Sequence, residues 1–183
     1  MRAILLDRDG VINHKAPEGE YITTIEQFRL LAGAAEAMAA LGRLGFEIFV
    51  VTNQRGIARG RVSRRQLECI HDALIEAVER AGGRIRHIYV CPHDISDGCA
   101  CRKPKPGMLL QAIHDYRIDP NCSWMIGDSA SDMLAGQAAG FRTIFIGAPE
   151  LNIPADACAG SLQSAADMIR ITLDRQVARV IHL

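Results

Sequence analysis

The sequence has no surplus of charge of either sign: lysine plus arginine number 21 and aspartate plus glutamate 21 across 183 residues. That balance excludes a field gathering nucleic acid or an anionic membrane surface over the whole molecule, so any affinity for anions must be local. No stretch approaches ~18 uncharged apolar residues, and nothing reads as a bilayer span. The opening run Met1 to Leu6 is too short for a secretory leader and meets Asp7 without a small-residue cleavage site, which leads to the expectation of a cytoplasmic chain. Internal repeats and low-complexity segments are absent, and 49% hydrophobic content over this length suffices for one domain spanning residues 1–183. Six cysteines do not read as a disulfide framework. Three of them crowd between Cys91 and Cys101 beside His93, and without a leader metal binding is the better reading.

Short apolar runs rich in branched residues occur at residues 4–6, 46–51, 85–90, 124–126 and 143–146, each bounded by polar clusters, as in buried parallel strands. Helical patterns lie between them. Ala34, Met38, Leu41 and Leu44 share a face that stops at Gly45. Leu67, Ile70, Leu74, Val78 and Ala81 make a second stripe, opened by a Ser63/Gln66 capping pair and closed by Gly82-Gly83. Residues 106–116 and 132–139 continue the alternation, and a further helix begins near Ser161. The pattern predicts an α/β fold with a doubly wound parallel sheet, whose ligands gather at the carboxyl ends of the strands. Asp7, Thr52 and Asp128 each fall at such an end.

Asp7-Arg8-Asp9-Gly10 sets two carboxylates two residues apart, on the same side if the segment stays extended. Two such carboxylates repel unless a cation joins them, and a hard divalent ion with oxygen ligands suits the pair. By itself the motif is also what an aspartate-capped loop looks like. Calcium-loop chemistry is disfavoured, because the further ligand positions hold Val11, Asn13 and Lys15. Thr52-Asn53 offers a hydroxyl and an amide before a glycine-containing turn. Arg102-Lys103-Pro104-Lys105-Pro106 concentrates three cations ahead of a helix N-terminus, and Gly127-Asp128-Ser129-Ala130-Ser131-Asp132 adds carboxylates at a strand-to-helix turn.

Cys91, His93, Cys99 and Cys101 supply three thiolates and an imidazole within one short loop, the donor set of a closed tetrahedral zinc site. Four protein ligands leave no open position, so the role predicted for zinc is structural: fixing the loop fixes Arg102 and Lys103, which follow Cys101 directly. Cys69, Cys122 and Cys158 read as packing or surface thiols, and His14, His71, His87 and His114 as structural or exposed.

Asp7-Arg8-Asp9-Gly10, Thr52-Asn53-Gln54, Lys103-Pro104 and Gly127-Asp128 stand in the order and spacing of the four motifs of the haloacid dehalogenase superfamily, which this chain resembles over its first four-fifths. Within it, the runs Asp-Arg-Asp-Gly-Val-Ile-Asn, Thr-Asn-Gln-x-Gly-Ile-Ala-Arg-Gly and Cys-Arg-Lys-Pro are similar to the heptose bisphosphate phosphatase family, with the histidinol-phosphate phosphatases as the neighbouring branch. The resemblance implies a Rossmannoid sheet with a minimal cap and a magnesium-dependent phosphatase acting on a small phosphorylated sugar, supplying heptose precursors for lipopolysaccharide or other surface glycans. It implies no nucleic-acid, membrane or obligate protein partner. Asp7 would be the nucleophile and Asp9 the general acid and base. The Asp7 and Asp128 carboxylates and the Asp9 carbonyl would hold magnesium, while Thr52 and Lys103 stabilise the phosphoryl oxygens. Asp132 would support the site from behind its ligands or stabilise the start of the following helix. Glu18, Gly19, Glu20 and Tyr21 correspond to the substrate loop, and Asn53, Gln54, Arg55, Arg102 and Ser129 complete the expected substrate contacts.

This chain departs from relatives that carry lysine after the fourth-motif aspartate, because Ser129 stands there. Arg55, where many relatives have a small residue, is the candidate replacement cation. Histidinol phosphate would call for an acidic or aromatic pocket, and Arg55, Arg59 and Arg61 argue against it. A zinc-stabilised phosphate binder without catalysis is the rival of another class, and the intact Asp7, Asp9, Lys103 and Asp128 argue against that.

Overall fold

A computed structural model describes residues 1–148 and 153–181. Its centre is a six-stranded sheet in the order β3-β2-β1-β4-β5-β6, every neighbouring pair parallel. The strands are β1 (Ala3–Leu6), β2 (Glu47–Asn53), β3 (Ile85–Cys91), β4 (Trp124–Gly127), β5 (Arg142–Ile146) and β6 (Ala157–Ala159). The helices are α1 (Ala34–Arg43), α2 (Arg64–Arg80), α3 (Gly107–Tyr116), α4 (Ala130–Ala138) and α5 (Leu162–Ile181).

Alternation along the strands divides the core between two faces. Ile4, Leu6, Ile48, Val50 and Ile126 pack with Met38 and Leu41 of α1, Ile70 and Leu74 of α2, and Ala165 and Ile169 of α5. Ala3, Leu5, Phe49, Val51 and Met125 pack with Met108 and Leu109 of α3 and Ala135 of α4. Both faces are covered, so the strands can be continuous apolar runs, as the sequence pattern required. The chain winds outward from β1 in one direction and, after crossing back, from β4 in the other. The carboxyl ends of β1 and β4 therefore flank the switch point, where a crevice opens. Asp7 follows β1 and Asp128 follows β4.

Two elements differ from the sequence expectation. Helix α4 begins two residues earlier than residue 132, because Ser129 forms its N-cap and Asp132 reaches back to the Ser129 N–H at 3.1 Å. Strand β6 was not foreseen. Its Ala-Cys-Ala carries no branched residue, and it is anchored from outside the strand, where Thr143 donates its N–H and hydroxyl to the Asp156 carboxylate at 2.7 and 2.8 Å.

Candidate active site

At the carboxyl end of β1 the extended chain stops, and the left-handed backbone at Gly10 (φ 94°) turns it away. Asp7 and Asp9 consequently do not face one shared cation through their side chains. Asp7 is buried and accepts from the Lys103 ammonium at 2.6 Å. The same ammonium lies 2.6 Å from Asp132 Oδ1 and donates to the Val51 carbonyl at 2.7 Å. Asp7, Asp128 and Asp132 bring carboxylate oxygens within 4.8 Å of one another. Asp132, expected only behind the site or at the helix start, does both jobs: it caps α4 and completes this acidic trio. Gly127 must be glycine for the trio to close, since a β-carbon there would lie 2.2 Å from that of Asp132.

Burial pushes the Asp7 carboxyl up to about 7, reinforced by Asp132 and Asp9 and opposed by Lys103. Burial alone would drive the Lys103 ammonium down, but Asp132 and Asp7 outweigh it and hold the group charged. Asp128 is also raised, by burial above all, although Lys15 pulls the other way. Its Oδ1 is buried and has no partner among the described residues. Three convergent carboxylates, one with an unused buried oxygen, suit a hard divalent ion such as magnesium.

Asp9 is held apart from the trio. The Arg8 guanidinium donates to both its oxygens at 2.9 Å, and Asn13 and Gln54 donate to it at 2.9 Å. Burial works to raise the Asp9 carboxyl, yet Arg8 and these hydrogen bonds hold it below the ordinary carboxylate range. Arg8 is itself buried and meets His71 Nε2 at 3.3 Å. Gln54 also donates to the Thr52 hydroxyl at 2.8 Å, which links the end of β2 to Asp9. Asn53 clamps the backbone of Lys103, donating to its carbonyl at 3.1 Å and accepting from its N–H at 3.2 Å. The orienting roles of Arg8 and Asn13 were missed, because nothing in an arginine between two aspartates says which carboxylate it will hold.

Beside Asp9 opens a cavity of about 310 Å³, lined among others by Lys15, Glu20, Tyr21, Asn53, Gln54, Arg55 and Arg102. Glu18 and Gly19 do not reach it. They sit exposed at the tip of a turn closed by Glu20 N–H to Pro17 carbonyl, 2.9 Å. Ser129 does not reach it either, because its hydroxyl is spent on Asp132 at 2.7 Å. Arg55 lies 3.9 Å from Asp94, which also takes a 2.7 Å ion pair from Arg59. Arg102 donates to the His93 carbonyl at 3.3 Å, so the cation is anchored on the cysteine loop.

In that loop the sulfurs of Cys91, Cys99 and Cys101 are 3.4–3.7 Å apart, and His93 Nδ1 lies 3.2 Å from Cys101 and 3.7 Å from Cys91. A tetrahedron with Zn–S about 2.3 Å has edges of about 3.8 Å, so the donors stand nearly where zinc would place them. Cys101 is pushed up to about 12, by burial first and then by the neighbouring thiols, a cost that a cation among them would relieve.

A family model described as HAD-hydrolase-like matches residues 100–149. The chain is 41% identical over 146 residues to the D-glycero-beta-D-manno-heptose-1,7-bisphosphate 7-phosphatase of Pseudomonas putida, covering 80% of this chain and 82% of that one. It is 38% identical over 153 residues to the D-glycero-alpha-D-manno-heptose-1,7-bisphosphate 7-phosphatase of Photorhabdus laumondii, covering 80% of this chain and 82% of that one. The crystal structure of D,D-heptose 1,7-bisphosphate phosphatase from B. bronchiseptica, complexed with magnesium and phosphate, superposes with a TM-score of 0.85 at 30% identity, over 94% of this chain and 99% of that one.

Proposed function

The chain belongs to the heptose 1,7-bisphosphate 7-phosphatases of the haloacid dehalogenase-like hydrolases, and from that we propose that it hydrolyses the C7 phosphate of D-glycero-D-manno-heptose 1,7-bisphosphate, with Asp7 as the phosphoryl acceptor. The observation that carries this reading is the buried Asp7–Lys103–Asp132 arrangement beside the unused Asp128 oxygen, at the switch point of the sheet. All described elements build on one sheet, which supports reading residues 1–183 as one phosphatase domain.

An Asp7 oxygen attacks phosphorus and the bond to the C7 oxygen breaks. Asp9 gives its proton to that leaving oxygen, then accepts one from the water that attacks the aspartyl phosphate, returning both carboxyls to their starting states. Arg8, Asn13 and Gln54 hold Asp9 in place for both transfers. An arriving phosphoryl dianion works against the depression of the Asp9 carboxyl, favouring the protonated form that the first step needs. Lys103 and the Thr52 hydroxyl meet charge on the transferring oxygens, Lys103 kept in register by Asn53. Magnesium, held by Asp7 and Asp128 with the Asp9 carbonyl, would neutralise phosphoryl charge during the attack. Zinc on Cys91, His93, Cys99 and Cys101 would hold the loop that carries Arg102 and Lys103.

Arg102 and Arg55 face the cavity where the second phosphate of a bisphosphate would lie. No nucleic acid, membrane or obligate protein partner enters this reading, and the expected location is the cytoplasm. No helix among the described residues is long and apolar enough to cross a membrane. Hydrolysis rates with and without magnesium on the heptose bisphosphate, histidinol phosphate and an aryl phosphate test it. The bisphosphate should have the highest kcat/KM, and Asp7→Asn should lower turnover on every substrate by roughly a thousandfold or more. A preference for histidinol phosphate would move the substrate assignment while leaving the chemistry intact.

A further inference from the structure

Two lysines touch the acidic trio, and they are held very differently. The Lys103 side chain is 2% exposed with three partners around its ammonium. The Lys15 side chain is 50% exposed, and its ammonium rests on Asp128 Oδ2, the partner of the unused Oδ1. Lys15 reaches that position over the bare backbone of Gly10, where a β-carbon would strike both the Lys15 Cε and the Asp128 carboxylate.

We propose that Lys15 is a displaceable counterion: it holds Asp128 in the metal-free chain and turns toward the second phosphate of the substrate once a divalent ion takes Asp128. The proposal rests on the reading of Asp7 and Asp128 as magnesium ligands. With all three carboxyls ionised, as metal binding requires, they and the two lysines leave one formal negative charge. Adding a divalent ion beside both lysines would overshoot to one positive charge and set two cations against one carboxylate, whereas releasing Lys15 brings the group to neutrality. A released Lys15 is already in the wall of the cavity that Arg55 and Arg102 line. Ser129 supplies no charge there, so Lys15 becomes the third cation facing an anionic ligand.

Calorimetric titration of magnesium into substrate-free protein reads the displacement directly. Lys15→Met should bind magnesium three- to tenfold more tightly than the unsubstituted chain. Lys105→Met should leave affinity unchanged, because that ammonium carries the same charge but donates to the Gly98 carbonyl at 2.6 Å. At saturating magnesium, Lys15→Met should raise KM for the bisphosphate about tenfold with kcat unchanged and KM for an aryl phosphate unchanged, and Lys15→Arg should restore the bisphosphate KM. Unchanged or weaker magnesium affinity in Lys15→Met, or an unchanged bisphosphate KM, would overturn the proposal while the metal reading stands. Magnesium that binds neither protein would overturn both.

Discussion

Arg102 is anchored on the His93 carbonyl and faces the cavity rather than the Asp7 carboxylate. Arg102→Ala should lower kcat/KM on the heptose bisphosphate ten- to a hundredfold, about 1.4 kcal/mol per decade, and leave aryl phosphate hydrolysis nearly unchanged. Equal losses on both substrates would place Arg102 on the reacting phosphoryl group instead. His71 carries a pH signature. Burial first, then Arg8, lowers it from 6.5 to about 4. The unfolded chain therefore takes up the proton before the folded one as pH falls, so the stabilisation is complete above pH 6.5 and is lost between about 6.5 and 4. Denaturant unfolding of the metal-free protein should show His71→Gln losing roughly 2–3 kcal/mol less than wild type across that window; parallel slopes would contradict the assignment. Asp7, Asp9 and Asp128 were legible as candidates because they stand at or just past strand ends, and Lys103 because it lies in a cation run ahead of a helix N-terminus. The contacts of Arg8, Asn13 and Lys15, and the convergence of Asp132 on Lys103, were not, since they depend on the turn at Gly10 and on which side chains meet across the switch point.

At the scale of elements, the site depends on the loop between β3 and α3. Its donors sit at near-tetrahedral separations, and it is sewn to the β2 end by Gln54 N–H to Cys91 carbonyl at 2.7 Å and by the Asn53 clamp on Lys103. Cys99→Ser should lose the zinc, speed amide exchange across residues 91–105 and lower kcat/KM at least tenfold, read together by metal analysis, hydrogen exchange and kinetics. Wild-type protein purified without chelator that contains no zinc, with its four donors reduced, would remove the metal from this loop. The five longer strands and the helix order were legible from branched apolar runs alternating with helical stripes. The α2 start was legible too, because Ser63 and Gln66 form the reciprocal cap their spacing implies. Strand β6 was not, because three small residues carry no strand signal and its anchor, Asp156 on Thr143, is tertiary. The tip at Glu18 and Gly19 lies outside the cavity wall that Glu20 and Tyr21 line, since proximity to Tyr21 in sequence says little about which side of a turn faces the cavity.

For the molecule as a whole, metal binding at the acidic trio would be linked to folding. The trio is gathered at the junction of β1, β4 and α4, so a divalent ion held there would bind the folded chain alone. At a hundred times its Kd magnesium should stabilise by about 2.7 kcal/mol, raising Tm by roughly 5–10 °C at this size. Asp128→Asn should abolish most of that rise. A rise retained in Asp128→Asn would put the ion elsewhere. The sheet is expected to present Asp7 to the C7 phosphate of a heptose bisphosphate. That expectation is tested most directly by ³¹P NMR of D-glycero-D-manno-heptose 1,7-bisphosphate turned over with magnesium. The expected spectrum shows one equivalent of inorganic phosphate and a product whose anomeric C1 phosphate resonance persists. Loss of the C1 resonance while the C7 resonance persists, or no phosphate release at all, would contradict it.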